Sequence, residues 1–199
     1  KKQDVTSLSQ EELASYDEHL RFELPEGYEI ERSTDDDGDP TYNIYYGVTI
    51  DDDGDKKAEK SFRVIQPDIE EGASFEGDID SDFNIKVIGN LQEVNYLFIT
   101  VKALSGSAVI EHNGHCYAIF LIKVCRDEEL EEKAEEIAAD LTEMVNCMVI
   151  DGDRANTEPI PASLILNQEK FDEFRKSDPS ENQHTHWDFL SGTKNALGF

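Results

Sequence analysis

Residues 107–125 decide the fold of this chain, and their sequence is SAVIEHNGHCYAIFLIKVC. The Asn113-Gly114 pair is typical of a type I′ turn, in which both central residues take a positive φ. We therefore predict a β-hairpin with strands over 107–111 and 115–125. The second strand is apolar on both faces, because Phe120 and Leu121 point to opposite sides. Such a strand lies in the interior of a sheet that is covered on both faces.

A helix is predicted directly after this hairpin, over residues 127–148. Three acids, Asp127, Glu128 and Glu129, fill its first turn, where the helix dipole favours negative charge. The apolar residues recur at helical spacing and form one stripe: Leu130, Ala134, Ile137, Ala138, Leu141, Met144, Val145 and Met148. The one-sided stripe predicts that this helix covers one face of the sheet.

The residues before the hairpin predict a helix followed by a meander of strands. Ser9 and Glu12 form a capping box that opens a helix over residues 9–20. Strands are expected around 22–24, 28–30, 41–50 and 62–64, where apolar residues alternate with polar ones. Residues 68–84 read as a loop, with or without one short helix. Residues 85–104 fit a helical period as well, but their aromatic and β-branched residues favour a strand over 94–103.

These elements predict an α+β fold, a three-layer α/β/α sandwich on a mainly antiparallel sheet with a C-terminal arm. We divide the chain into a polar leader (1–8), the sandwich domain (9–150) and the arm (151–199). The arm is expected to be partly ordered and to carry a short helix that Asn167 caps. Its Asp-Gly, Pro and polar residues do not predict a second core.

The charge of the chain excludes two classes of partner. Asp and Glu number 45 and Lys and Arg number 18, which gives a net charge of −27 over 199 residues. Nucleic acids and anionic membranes are bound through clustered Lys and Arg, so neither is an expected partner. No apolar run is long enough for a transmembrane segment.

Acidic loops and histidines are the candidate metal ligands. Two links share the sequence DDDGD and offer Asp35, Asp37, Asp39, Asp51, Asp53 and Asp55 as calcium ligands. With Gly38 or Gly54 as the sixth residue of an EF-hand, the twelfth would be Ile44 or Lys60 instead of Glu. We therefore predict solvated hairpin turns with weak Ca²⁺ binding, and no resident cofactor. His184, His186 and Asp188 alternate along the arm, and His112 and His115 flank the Asn-Gly turn; both sets are expected to be polar surface.

The cysteines and the motif content bear on catalysis and on redox chemistry. Cys116, Cys125 and Cys147 form no CxxC pair, so zinc-finger and thioredoxin chemistry have no support. We expect three buried thiols; a disulfide from Cys116 or Cys125 to Cys147 is the alternative. The chain has no nucleophile elbow, P-loop or dinucleotide-binding loop. No catalytic residue is predicted, and the protein is not expected to be an enzyme.

Three pieces of sequence follow one another in an order that resembles a known family. They are Phe22-Glu23-Leu24-Pro25-Glu26-Gly27-Tyr28, then His112-Asn113-Gly114-His115-Cys116-Tyr117, then the helix that begins at Asp127. Over about residues 20–148 the chain resembles the PsbP-like α/β/α sandwich of bacterial lipoproteins. That family has no shared catalytic residues. The resemblance implies a non-catalytic extracytoplasmic binding or accessory protein, whose ligand or partner it does not identify.

The first residues of the chain and the family resemblance together predict the cellular compartment. Lys1-Lys2-Gln3-Asp4 is a polar leader of the kind that follows an export signal, or simply a boundary of the chain. We expect an extracytoplasmic protein, with a lipid anchor on a segment before residue 1. A cytoplasmic acidic partner protein, such as an immunity protein or a secretion chaperone that binds a basic surface, is the first alternative. An enzyme of unassignable reaction is the second.

Overall fold

A six-stranded antiparallel sheet forms the centre of the computed structural model, which describes residues 18–36, 38–67, 77–79, 81–96 and 98–167. The strands, in their order across the sheet, are β2 (Tyr28–Thr34), β3 (Pro40–Tyr46), β6 (Lys60–Ile65), β9 (His115–Cys125), β8 (Ile99–His112) and β7 (Asn84–Tyr96). Every neighbouring pair is antiparallel. With the helix α1 (Leu130–Val145) on one face, the fold belongs to the α+β class.

Two smaller sheets flank the central one. The first joins β1 (Leu20–Phe22), β10 (Met148–Ile150) and β11 (Asp153–Arg154) in the order β1-β10-β11. The second is a two-stranded ribbon of β4 (Thr49–Ile50) and β5 (Lys56–Lys57), which forms in the chain segment that connects β3 to β6. Among the described residues, none of the helices has the length and apolar character needed to cross a bilayer.

The hairpin of β8 and β9 agrees with its prediction from the sequence. Asn113 and Gly114 have φ values of 52° and 80°, as a type I′ turn requires. Strand β9 lies between β6 and β8, so it is interior. Phe120 and Leu121, on its opposite faces, are both 4% exposed.

Helix α1 is shorter than predicted but buries the predicted stripe. A 3-10 turn, η1 (Asp127–Glu129), precedes α1. The buried residues of α1 include Ile137 and Leu141, which contact the sheet beside Gly106. The prediction that the helix reaches residue 148 is wrong. The chain leaves the helix after Val145, and Met148 buries its side chain in β10 instead of on the helix.

The prediction of one strand over 94–103 is wrong, because the chain reverses direction inside it. Strands β7 and β8 pair along 13 positions, and their hairpin closes between Tyr96 and Ile99. The two residues between them include none of the Gly, Asn or Asp that mark a turn. Phe98 at this tip is fully exposed.

The N-terminal side also differs from expectation at two places. The predicted helix over 9–20 lies outside the described residues up to position 17, and Leu20 begins β1 instead of ending a helix. The strand predicted over 41–50 is broken at Gly47, whose φ of 64° turns the chain into β4. The loops 35–39 and 51–55 therefore lie beyond opposite ends of β3.

Residues after 150, where the sequence predicted the end of the sandwich domain, also pack against the core. Strand β11 pairs with β10, and Ala155, Ile160 and Ile165 join the main core. A second 3-10 turn, η2 (Ala162–Leu164), lies against α1 and β7. The remainder of the arm, with its expected short helix, lies outside the described residues.

Candidate functional site

Two tight turns of the same kind meet at one end of the sheet. Asn113-Gly114 joins β8 to β9, and Asp151-Gly152 joins β10 to β11. Asp151 has a φ of 51° and Gly152 a φ of 83°, nearly the values of the first turn. Asp and Asn tolerate this left-handed conformation better than other residues that carry a Cβ, so both turns follow from their local sequence.

The carboxylate of Asp151 contacts one nitrogen of each of two imidazole rings. Its Oδ1 is 2.6 Å from Nδ1 of His19, and its Oδ2 is 3.2 Å from Nε2 of His115. The two rings stack on each other, with centroids 3.9 Å apart and planes 20° apart. His19 immediately precedes β1 and His115 begins β9, so three segments distant in sequence build this His19–His115–Asp151 cluster.

The cluster is partly open to solvent. The side chains of His19, His115 and Asp151 are 39%, 30% and 28% exposed. The hydrogen bond to His19 holds the pKa of Asp151 below its ordinary value, and the charges of His115 and His19 act in the same direction. Asp151 is therefore an anionic acceptor at neutral pH.

A second histidine–aspartate pair lies on the same two turns. Nε2 of His112 is 2.8 Å from Oδ2 of Asp153, and the His112 ring packs 4.0 Å from the ring of Phe83. His112 and His115 are thus not the free surface residues expected from the sequence, because both are paired with an aspartate and mostly covered. The His112–Asp153 pair joins one imidazole to one carboxylate.

A cleft of about 440 Å³ opens beside the cluster. Its walls come from β3, the end of β6 and the start of β9: Pro40, Gln66, Pro67, Gly114, Cys116 and Tyr117, together with His19 and His115. Burial, assisted by the charge of Glu111, raises the pKa of the Cys116 thiol to about 12. That thiol is protonated at neutral pH, so it is not an activated nucleophile despite its neighbour His115.

The acidic loops use their carboxylates within their own turns. Asp39 donates its N–H to Oδ1 of Asp35 at 2.8 Å, and Asp55 donates to Oδ1 of Asp51 at 2.9 Å. Lys57 lies 2.9 Å from Oδ2 of Asp51 and, with the backbone N–H of Asp55, lowers the pKa of this carboxyl. Among the described aspartates of the two loops, no three carboxylates come together as a candidate metal site. The weak Ca²⁺ binding expected here stays a prediction.

The cysteines and the remaining candidate metal ligands complete the comparison with the sequence. Cys116, Cys125 and Cys147 are free thiols, so the alternative disulfide to Cys147 is not formed. Asp37, like His184, His186 and Asp188, lies outside the described residues.

Sequence reasoning singled out His115 but missed His19 and Asp151. The Asp151-Gly152 dipeptide is a turn signal that could have placed Asp151 near a strand end; nothing in the sequence marks His19.

Comparison of the chain with protein-family models, with curated proteins and with solved structures found no match.

Proposed function

We propose that this protein is a non-catalytic binding or accessory module of the extracytoplasmic, PsbP-like lipoprotein type. The observation that carries the proposal is the cleft beside the His19–His115–Asp151 cluster. Its lining is more polar than apolar, with imidazole, amide and phenol groups beside two prolines, so it suits a small polar ligand that these groups would orient. The one thiol in its wall is held protonated, which favours binding over Cys–His catalysis.

The three-layer arrangement expected from the sequence belongs to the same proposal. Side chains on the sheet face opposite α1 are buried: Val109 and Ala118 are 0% exposed and Ile65 is 5% exposed. Adjacent residues of a strand point to opposite faces, so these positions are distinct from the core under α1. Their burial supports a second covering layer, as in an α/β/α sandwich.

A ligand panel tests the binding function. Thermal melting is measured with metabolites of several chemical classes, in parallel with a turnover assay on the same compounds. Gln66→Trp fills the cleft with an indole, and Glu128→Trp places the same ring on the exposed η1 turn as the matched control. We expect a ligand that raises the melting temperature of the wild type and of Glu128→Trp but not of Gln66→Trp, and that is not consumed. Turnover lost on a single substitution in the cleft would instead establish an enzyme.

One observation favours the alternative of an acidic partner protein. The lysines at positions 56, 57, 60, 102, 123 and 133 each form an ion pair with an acid of this chain. Their charges are therefore neutralised locally, and the excess of acids would steer a basic partner. Fractionation of cells that express the complete gene, with protease added outside the membrane, separates the two proposals. Protection from protease in the cytoplasmic fraction would favour the acidic partner.

A further inference from the structure

We infer that the His19–His115–Asp151 cluster is a binding site for a divalent transition-metal ion of the zinc class. The three side chains offer two imidazole nitrogens and one carboxylate oxygen, and these atoms all lie within 4.8 Å of one another. This metal site uses only these three side chains, so it does not depend on whether the cleft binds a further ligand.

One of the two contacts between ligand atoms already has the spacing that a small tetrahedral ion requires, and the other is shorter. Zinc is bound at about 2.0–2.2 Å by nitrogen and oxygen, so neighbouring ligand atoms lie about 3.3 Å apart. The distances from Asp151 to His19 and to His115 are 2.6 Å and 3.2 Å. To bind one ion through both imidazole nitrogens, the stacked rings, whose centroids are 3.9 Å apart, would have to separate and the 2.6 Å contact would have to open.

The outer contacts of the cluster also suit a metal. Nε2 of His19, the ring nitrogen that faces away from Asp151, lies 3.4 Å from Oε1 of Glu18. A carboxylate behind a ligating imidazole is the usual outer partner at zinc sites, where it fixes the ring and raises its basicity. His115 and Asp151 each lie in or beside a turn with positive-φ residues, and Nε2 of His115 is already 3.2 Å from Oδ2 of Asp151.

The ligand set also distinguishes between metals. Imidazole suits zinc, copper, nickel and iron, whereas calcium and magnesium prefer oxygen ligands alone. Three protein ligands leave a tetrahedral ion with one position for water or a bound molecule. The adjacent cleft, which His19 and His115 also line, is where that position would open.

The His112–Asp153 pair provides the matched control. It lies on the same two turns and has a similar His–carboxylate distance, 2.8 Å, but it joins a single imidazole to a single carboxylate. Losing one imidazole there should leave metal affinity unchanged. Asp151→Asn is the conservative change in the cluster, since Asn also tolerates the positive φ of this turn.

The test is titration of Zn²⁺ into the full 199-residue chain after chelator treatment, followed by calorimetry, with Co²⁺ absorption as the spectroscopic readout. We expect one Zn²⁺ per chain, bound at least about tenfold more weakly by Asp151→Asn and by His115→Ala. His112→Ala should bind as the wild type does. Circular dichroism of each variant checks that it is folded.

Two further measurements exclude other sources of metal binding. The double variant His184→Ala/His186→Ala removes the histidines of the C-terminal arm and should retain the wild-type affinity. Ca²⁺ at the same concentration should not compete, because the acidic surface binds it without imidazole. Wild-type affinity in Asp151→Asn and His115→Ala, a Co²⁺ spectrum that Asp151→Asn leaves unchanged, or loss of binding in the double variant would each overturn the assignment.

Discussion

The carbonyl of Ile165 passes directly over Gly89, so that a Cβ at Gly89 would lie 1.8 Å from the Ile165 oxygen. Gly89 is in β7, and Ile165 follows the η2 turn. The only side chain that allows this contact is a hydrogen atom. The absence of a side chain at position 89 therefore allows residues 159–167 to pack on the domain.

Gly89→Ala should be strongly destabilising. The added methyl group meets backbone, which moves less easily than a side chain, so we expect a loss of about 3 kcal/mol or more in the free energy of unfolding. Gly114→Ala is the control, because no atom lies within 4 Å of its added Cβ and only its φ of +80° is unfavourable. That variant should lose about 1–2 kcal/mol. Equal urea midpoints for the two variants would contradict the steric argument.

Asp140 is the second position where we expect a large effect. Its side chain on α1 is 8% exposed and lies 3.0 Å from Nζ of Lys60 and 3.3 Å from Nζ of Lys123. Asp140→Ala removes the buried carboxylate that the two lysines share, and each keeps only a more exposed partner, Glu143 or Glu136. We expect a loss of about 2–3 kcal/mol, below the full cost of a broken buried pair because both lysines reach solvent. Glu143→Ala, at a side chain 40% exposed, should lose less than about 1 kcal/mol in the same urea titration.

Glu136 should make stability depend on pH on the acid side. Hydrogen bonds from Lys133 and Lys123 lower its pKa below the ordinary 4.5. A carboxyl whose pKa is lowered by folding stabilises the native state above its unfolded pKa, and this contribution disappears as pH falls through the folded value. The melting temperature of Glu136→Gln should therefore lie below that of the wild type at neutral pH, and the difference should disappear at a lower pH, below the folded pKa. A difference that persists at the lower pH would show that packing, and not charge, is responsible.

Cys116 should react slowly with alkylating reagents. Burial raises the pKa of its thiol to about 12, and the reactive species is the thiolate. The thiol of Cys147 has a pKa raised to about 11 and should behave similarly. We expect iodoacetamide at neutral pH to label both cysteines far more slowly in the native protein than in urea. Peptide mapping by mass spectrometry measures each site; rapid native labelling of Cys116 would restore it as a candidate nucleophile.

The acidic loops should give modest stabilisation by calcium. A body with a net charge of −27 repels itself, and any cation drawn to the folded form stabilises it. Because Asp51 is already occupied by its own turn and by Lys57, we expect affinity on the order of 10⁻⁴–10⁻³ M. Melting is compared in CaCl₂ and in NaCl of equal ionic strength, with an Asp35/Asp37/Asp51/Asp53→Asn variant. Equal melting temperatures in the two salts would mean screening alone.

The parts of the fold that the sequence predicted are those set by local chemistry. Asn113-Gly114 specifies its turn, and the two-sided apolarity of residues 115–125 requires an interior strand. The β7–β8 hairpin was missed for the converse reason. The sequence between Tyr96 and Ile99 holds no turn residue, and the pairing of the two strands rests on 13 cross-strand pairs.

The candidate site was predictable only in part, because its residues come together through tertiary structure. His115 is beside a recognisable turn and Asp151 is in another, but their meeting depends on how β10 is placed next to the β8–β9 hairpin. His19 has no local signal at all. Its partner Asp151 is 132 positions away, and periodicity or spacing in a single sequence carries no information over that distance.

The same separation sets the order in which the protein can fold. Strands β7, β8 and β9 are joined by short turns, and such contacts form early because little chain entropy is lost in closing them. Strand β1 pairs with β10 through Leu20 and Ile150, so it has no partner until the ribosome has released almost the whole domain. We therefore expect the contact between the His19 imidazole and Asp151 to form late in folding. A probe that reports on this contact would distinguish completed molecules from those in which the central sheet alone has formed.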